Sequence, residues 1–448
     1  MRASDLKSRI SDSVWGSGVT WLLRIVTGAV FTFSGFVKGI DPWGTFYKFE
    51  DYLSAMSLDV VDSVVVAGVF ALCALEFLVG VAFLTGSYRR LSSWAALAFM
   101  AVMLPLTFWL AVWEPVSDCG CFGDAVILSN WATFWKNVVL TLMAVWLVVF
   151  NRSIHWLITP ALQWISLVAG AAYFIYIAYT GYSFQPMLDF RQYNTGTSLI
   201  DEDAEAEGEP VYKFVYQKEG KRVEVGEDDP LPDESDGWEF VDRIEVQSAR
   251  NVAPHSEKAL RIYDIDGETD VTPELDLRHG DRVVVLIPDL RRLSILSAWQ
   301  LNALSHKSAR EKAGMFASLY GNGDEITEWE DLYMPDYPVY VAEDTPMKEA
   351  ARGNPAVIFL RNGNILWKTS LQHLSASGLL DEDSKTRLSA WNPESDFYLE
   401  AASVVYVGLL ALLIVFSFVP VGIGLGRNFF RKGRKAGSMP TRDDKEVL

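Results

Sequence analysis

The chain is short of cysteine: three residues in 448, at positions 73, 119 and 121. Three thiols cannot build a disulfide framework. No cysteine follows Cys121, so the second half of the chain cannot do thiol chemistry of its own. Positive charge is scarce as well. Lys and Arg number 39 against 57 Asp and Glu, for a net charge of −18. That balance excludes the basic footprint of a nucleic-acid binder, and no nucleic-acid partner is expected. Charged residues make up only 21% of the chain, yet half of it is hydrophobic, with 16 Trp and a mean hydropathy of +0.14. A protein this acidic is net hydrophobic only if its apolar and acidic residues lie in different segments.

They do. The first 180 residues are apolar, the stretch from Gly181 to Glu400 is polar and acidic, and a last apolar run begins at Ala401. A bilayer core takes about 20 apolar residues in a helix. Six windows qualify: Val19–Val37, Ser63–Thr85, Leu91–Trp113, Ala132–Phe150, Trp156–Tyr179 and Ala401–Leu425. The rival reading, buried helices of a soluble protein, fits poorly with runs so long and so many. The first run lacks a small-residue cleavage site after it, so no cleavable signal peptide is expected. Lys and Arg concentrate in the N-terminal tail, in the links between spans two and three and between spans four and five, and in the C-terminal tail. By the positive-inside bias both termini face the cytoplasm of an inner membrane, and the acidic region is extracytoplasmic.

The link between spans three and four reads Asp118-Cys-Gly-Cys-Phe-Gly-Asp124. Cys119 and Cys121 then stand on the side where disulfides persist. Gly120 admits strained backbone dihedrals, and exposed, strained disulfides tend to be labile or catalytic. Phe122 and Gly123 complete the loop. A metal site would call for three or four N or S ligands, and no His lies here, so no metal is expected. A pair of thiols that only stabilises the turn is the bland alternative. Asp118 and Asp124 flank the pair and are expected to hold the thiol pKa values up. Cys73, in mid-span, reads as a small packing residue.

Three charges interrupt the spans: Arg24, Glu76 and Lys136. Such groups normally face a partner or a wet cavity. Arg24 lies about 7 Å inside its end of span one, at 1.5 Å per residue. An Arg24–Glu76 pair is the expectation, either as a proton relay or quinone-binding group or as a pair that fixes helix register. Lys136 is expected to snorkel, and Lys38 with Asp41-Pro42 to close span one. Residues from Gly44 to Met56 have helical spacing and suggest a short amphipathic helix that could roof the Cys loop.

The motifs Arg24-Ile-x-x-Gly28, Phe33-Ser34-Gly35-Phe36-x-Lys38-x-x-Asp41-Pro42 and Glu76-Phe-x-x-Gly80 resemble DoxX-type membrane proteins. Cys119-Gly-Cys-Phe-Gly123 looks like the DoxX relatives called MauE, the methylamine-utilisation membrane protein. The resemblance covers about residues 15–150, a four-helix unit. It implies a membrane protein of thiol–disulfide or quinone-coupled electron transfer, with no covalently bound cofactor. An extracytoplasmic thiol protein would then be a partner alongside the lipid bilayer. This chain departs from that relative by two added spans and a large domain, which makes methylamine itself doubtful as the pathway.

In the acidic region, 201–209 and 227–237 read as solvated linker or loop, and Val211–Tyr216 with Arg222–Val225 as a hairpin. Further on come an apolar strand Arg282–Pro288, a helix Ile295–Tyr320, a strand Tyr337–Val341, then Pro355, and a hairpin turning at Asn362-Gly363. This order looks like a thioredoxin fold over about 280–375. The resemblance makes Pro355 the candidate cis proline, and it puts Asp289-Leu-Arg-Arg-Leu-Ser294 where that family carries its dithiol. An α/β domain of another type is the alternative.

The expected organisation is a four-helix membrane unit over 1–150, a fifth span over 151–180, an acidic β-rich segment over 181–280, a thioredoxin-like domain over 281–400, and a sixth span with a basic tail over 401–448. The functional expectation is a redox membrane protein working through Cys119 and Cys121. Its rival is a non-enzymatic scaffold with a structural Cys pair. A transporter is a weaker alternative, since no paired broken spans are evident.

Overall fold

The computed structural model describes residues 14–116, 118–199, 212–218, 221–226, 239–245, 260–381, 383–393 and 398–436. The acidic stretches 201–209 and 227–237 and the N-terminal basic residues lie outside these. The chain forms two compact units, one from 1–191 with 392–448 and the other from 192–391.

The first unit is helical: α1 (Val14–Ile40), α2 (Pro42–Ala55), α3 (Asp62–Thr85), α4 (Arg89–Trp113), α5 (Asn130–Val149), α6 (Gln163–Ser183) and, after the second unit, α11 (Leu399–Ala436). All but α2 contain stretches long and apolar enough to cross a membrane: Ser17–Ile40, Asp62–Thr85, Arg89–Trp113, Asn130–Val149, Gln163–Ser183 and Leu399–Phe418. Each lies within about four residues of the expected window, apart from the start of the fifth, expected at Trp156 and found at Gln163, and the later end of the sixth. Side chains such as Val102, Leu142, Val168 and Val404 are exposed on these helices. Lipid covers such surfaces in a membrane protein.

The α1–α3 contact is close, and small residues allow it. A methyl group added at Gly35 would stand 2.5 Å from the Phe77 backbone N, and one at Gly80 would stand 2.3 Å from the Thr32 N. Packing of this kind, without a hydrophobic driving force between helices, rests on close backbone approach. Around it, Phe31, Val79, Phe83, Phe99, Met100, Leu140 and Leu147 fill one core. Ile40, Trp43, Phe46, Phe77, Phe174 and Tyr406 fill a second.

Asp41 stops α1 and starts α2. Its carboxylate accepts a bond from Gly44 N at 2.9 Å, with Pro42 in the first helical turn, as capping rules predict. Lys38 lies in the last turn of α1, and its ammonium pairs with Glu76.

The second unit is built on a mixed six-stranded sheet. Its strands are β4 (Ile262–Tyr263), β5 (Asp281–Ile287), β6 (Gly314–Leu319), β7 (Val339–Ala342), β8 (Ala356–Arg361) and β9 (Asn364–Ser370), in the order β4-β7-β6-β5-β8-β9. β5, β6 and β7 run parallel, while β8 is antiparallel to both β5 and β9. Helices α7 (Ile295–Arg310), α8 (Gly323–Tyr333), α9 (Asp344–Ala350) and α10 (Leu371–Ala376) connect and flank them. Both faces of β5 are buried. Val283, Val285 and Ile287 pack with Leu301, Leu304 and Trp367, and Val284 and Leu286 pack with Tyr193, Leu260 and Met347. That is why β5 reads as an unbroken apolar run.

Two corrections concern this unit. The single helix expected over Ile295–Tyr320 is a helix ending at Arg310 followed by strand β6. Composition hid the break because Ala313–Leu319 is apolar in either state. The compact unit also begins at Gln192, well before the expected boundary at 281, since Tyr193, Leu199, Leu260 and Leu277 enter its core. The Asn354–Pro355 peptide is cis.

A separate three-stranded antiparallel sheet, β2-β1-β3, comprises Tyr212–Lys218 (β1), Lys221–Gly226 (β2) and Glu239–Glu245 (β3). It contains the expected hairpin and adds a strand that the acidic composition around it concealed.

Candidate functional site

The Cys loop lies against α1 and beneath α2. The two sulfurs are 2.9 Å apart, as free thiols. Gly120 and Gly123 hold φ values of +58° and +53°, the left-handed region that glycine enters without a Cβ penalty. The Gly123 N–H donates to the Gly120 carbonyl at 3.0 Å, closing the turn between them. The turn thus brings two residues of spacing i, i+2 onto one side.

Each backbone group of the pair is held by a different helix. Tyr52 on α2 donates its hydroxyl to the Cys119 carbonyl at 2.5 Å. Ser34 on α1 donates to the Cys121 carbonyl at 2.6 Å. Asp118 accepts from Gly120 N at 2.8 Å and pairs with Lys48 Nζ of α2 at 2.9 Å. Asn130, at the start of α5, donates to the Val116 carbonyl at 2.9 Å. The helix over Gly44–Met56 does roof the loop. Lys48 and Tyr52, at spacing i, i+4 on its inner face, are the functional candidates that sequence reasoning did not single out. The helical spacing noted there was the signal that could have found them.

Beneath the loop lies a buried ion pair that differs from the expected one. Glu76 bonds Lys38 at 2.8 Å, and each side chain is 6% exposed. Arg24 does not reach Glu76. Its Nη1 instead donates to the His155 carbonyl at 2.5 Å, at the end of the bundle where α3 ends, while among the described residues Nε and Nη2 have no hydrogen-bond partner. The register of α1 on α3 explains the correction. Gly35 packs on Phe77 and Gly28 on Gly80 and Phe83, so Glu76 is level with Phe36 rather than with Arg24. Arg24 stands about three turns, roughly 18 Å, farther along the helix. Lys136, on α5, places its Nζ 4.2 Å from the centre of the Phe122 ring. Phe122 leans in turn on Phe33 of α1, with ring centres 5.6 Å apart.

The two thiols differ, first through the hydrogen bond between them. Cys119 is buried, and its pKa is pushed up, first because its proton is shared with Cys121 and then by burial. Cys121 is held below the ordinary thiol range, chiefly by that hydrogen bond, against burial, with Lys136 and Lys38 adding to the effect. The flanking acids do not impose the expected rise on Cys121, because Asp118 is turned to Lys48 and the Gly120 N–H. Burial pushes the Tyr52 hydroxyl well above the usual tyrosine range, so it stays a proton donor to the loop. The arrangement suits sulfur chemistry: one thiolate-prone sulfur, one protonated sulfur in contact with it, and a rigid cradle. Cys73 is buried in the helical core beside Phe77 and Val69, as a packing residue would be.

In the second unit, Asp289 caps a short turn over Leu290–Arg292 and accepts from Arg291 N at 3.0 Å. Asn354 grips the same residue from the other loop: its Oδ1 accepts from Asp289 N at 3.2 Å and its Nδ2 donates to the Asp289 carbonyl at 2.7 Å. The residue before Pro355 is thus tied to an aspartate turn, where the resemblance would put a dithiol.

Residues 17–150 match the family model for methylamine utilisation protein MauE. The match takes in α1 to α5 and the Cys loop between α4 and α5, so that this part of the chain is similar to MauE, and six helices of the chain are long and apolar enough to cross a membrane. No curated protein and no solved structure matches the chain.

Proposed function

We propose that this chain is an inner-membrane redox protein of DoxX/MauE type. In this reading Cys119 and Cys121 exchange electrons between an extracytoplasmic thiol or disulfide protein and a membrane carrier such as a quinone. The observation that carries the reading is the sulfur pair in contact at 2.9 Å, held by Tyr52 and Ser34 above a buried ion pair. A loop that only needed a turn would not require hydrogen bonds from two helices to both Cys carbonyls. The match to MauE over 17–150 supports the same assignment. Oxidation of the dithiol releases two electrons and two protons, the number that reduces one quinone to its quinol.

The loop and the large second unit face the extracytoplasmic side, with both termini in the cytoplasm. The basic flanks of the spans support this orientation. The second unit is a thioredoxin-like domain without catalytic thiols. Support comes from the strand order β6-β5-β8-β9, with a parallel β5–β6 pair and an antiparallel β8–β9 hairpin. Its part is to receive or position a partner rather than to exchange electrons.

The test is reconstitution. The full chain, reduced and placed in liposomes with a short-chain quinone, should form one Cys119–Cys121 disulfide per quinol. A pair that stays reduced in the presence of quinone would contradict the membrane-carrier half of the reading.

A further inference from the structure

The proposed redox cycle leaves open which of the two sulfurs meets the partner. Resting on that cycle, we infer that Cys121 carries the negative charge and forms the mixed disulfide, with Lys38, anchored by Glu76, and Lys136, anchored on Phe122, as the residues that position that charge.

Geometry separates the two sulfurs. Ser34, Val37 and Lys38 share one face of α1 at spacing i, i+3, i+4, and that face lies under residues 121–123. Ser34 bonds the Cys121 carbonyl, and a methyl at Gly123 would stand 3.2 Å from Val37. Lys38 on that face is locked by its 2.8 Å bond to Glu76. On the opposite wall, Phe122 holds Lys136 at 4.2 Å beside the loop. Cys119 is the more enclosed of the two, buried among Tyr52, Leu110 and Leu106. Its exposure is 8%, whereas Cys121 is half-buried.

The charged and titratable groups that act on Cys121 come from several elements, with Asp118 and Asp124 in the loop itself. Lys38 comes from α1, Glu76 from α3 and Lys136 from α5, while Cys119 comes from the loop itself. From α2, Tyr52 is engaged with the Cys119 carbonyl and Lys48 with Asp118. Two cations against one carboxylate favour a thiolate, and the direction of the Cys121 pKa agrees.

The step balances. The Cys121 thiolate attacks one sulfur of a partner disulfide. A bond forms between Cys121 and that sulfur, the partner S–S bond breaks, and the partner's other sulfur leaves as a thiolate. Cys119 passes its proton to that thiolate and attacks Cys121. This closes the loop disulfide and releases the partner's first sulfur, so two electrons have moved from loop to partner. Run backward through the same mixed disulfide, the loop oxidises a partner dithiol.

The test uses the full chain in detergent, with alkylation of each Cys peptide followed by mass spectrometry across pH. Cys121 should react with a midpoint below that of a free thiol, about 8.5, and Cys119 far more slowly. Lys38→Met should raise the Cys121 midpoint by about one pH unit, a tenfold loss of thiolate below the midpoint. Lys38→Arg, which keeps the charge, should restore it. Lys136→Met should raise the midpoint by about half a pH unit or more, and it decides the matter should Lys38→Met fail to fold. With oxidised glutathione as probe, Cys119→Ser should accumulate an adduct on Cys121 at least about tenfold faster than Cys121→Ser does on Cys119. Unchanged midpoints in both Met variants would overturn the inference. So would an Arg variant shifted as far as Met, or a faster adduct on Cys119. None of these results bears on whether the pair cycles in cells, so the failure of the inference and the failure of the redox function are told apart.

Discussion

Removing one member of the Lys38–Glu76 pair should be far more damaging than removing both. Each side chain is 6% exposed and 2.8 Å from its partner. Glu76→Leu strands a buried ammonium and Lys38→Met strands a buried carboxylate. Breaking a buried pair from one side costs about 3–5 kcal/mol. The double variant Lys38→Met/Glu76→Leu leaves two apolar side chains of similar size, which is often neutral within about 1 kcal/mol. The cycle should therefore show a coupling energy of about 3 kcal/mol or more, read by titrating the unfolding of the purified chain in mixed detergent micelles. Arg24 supplies the control. It stands roughly 18 Å along α1 from the level of Glu76, so Arg24→Gln and Glu76→Gln should add within about 0.5 kcal/mol. A coupling energy near zero for Lys38 with Glu76, or a large one for Arg24 with Glu76, would refute the register.

The other predictions concern the helix contact, the roof of the loop and the topology. Gly80→Ala should cost about 1–3 kcal/mol, because its methyl would stand 2.3 Å from Thr32 N. Gly68→Ala, which meets nothing within 4 Å, should be neutral or stabilising in the same unfolding titration. Tyr52→Phe leaves the Cys119 carbonyl without its donor, so it should cost about 1–3 kcal/mol and speed alkylation of Cys119. A reporter fused after Leu448 should read cytoplasmic and one inserted at Gly237 should read extracytoplasmic, and the reverse at either position would contradict the orientation.

The spans were legible in the sequence because lipid imposes a length and a composition that few soluble segments meet. The Cys loop was legible as a motif, and so was the helix that roofs it. The partner of Glu76 was not. Two charges can sit at similar nominal depth, yet the register of antiparallel helices depends on which small residues meet. Here Gly35 and Gly80 decide it, by letting α1 and α3 slide until Lys38, and not Arg24, faces the carboxylate. The rise at Cys119 agrees with the expectation, but the sense of the Cys121 shift was missed. The hydrogen bond from Cys119 lowers it first, Lys136 and Lys38, remote in sequence and close in space, add to that, and Asp118, adjacent in sequence, is turned to Lys48 and Gly120. Strand β6 went unread because an apolar run after a helix carries no period of its own long enough to separate strand from helix.

The most direct test of the redox assignment is the state of Cys119 and Cys121 in living cells, trapped by acid quenching and alkylation with a mass-tagged thiol reagent. The account predicts a mixed population of dithiol and disulfide that moves toward dithiol when the quinone pool is reduced or depleted. A pair that is always oxidised and indifferent to the quinone pool, or always reduced and freely alkylated, would contradict it.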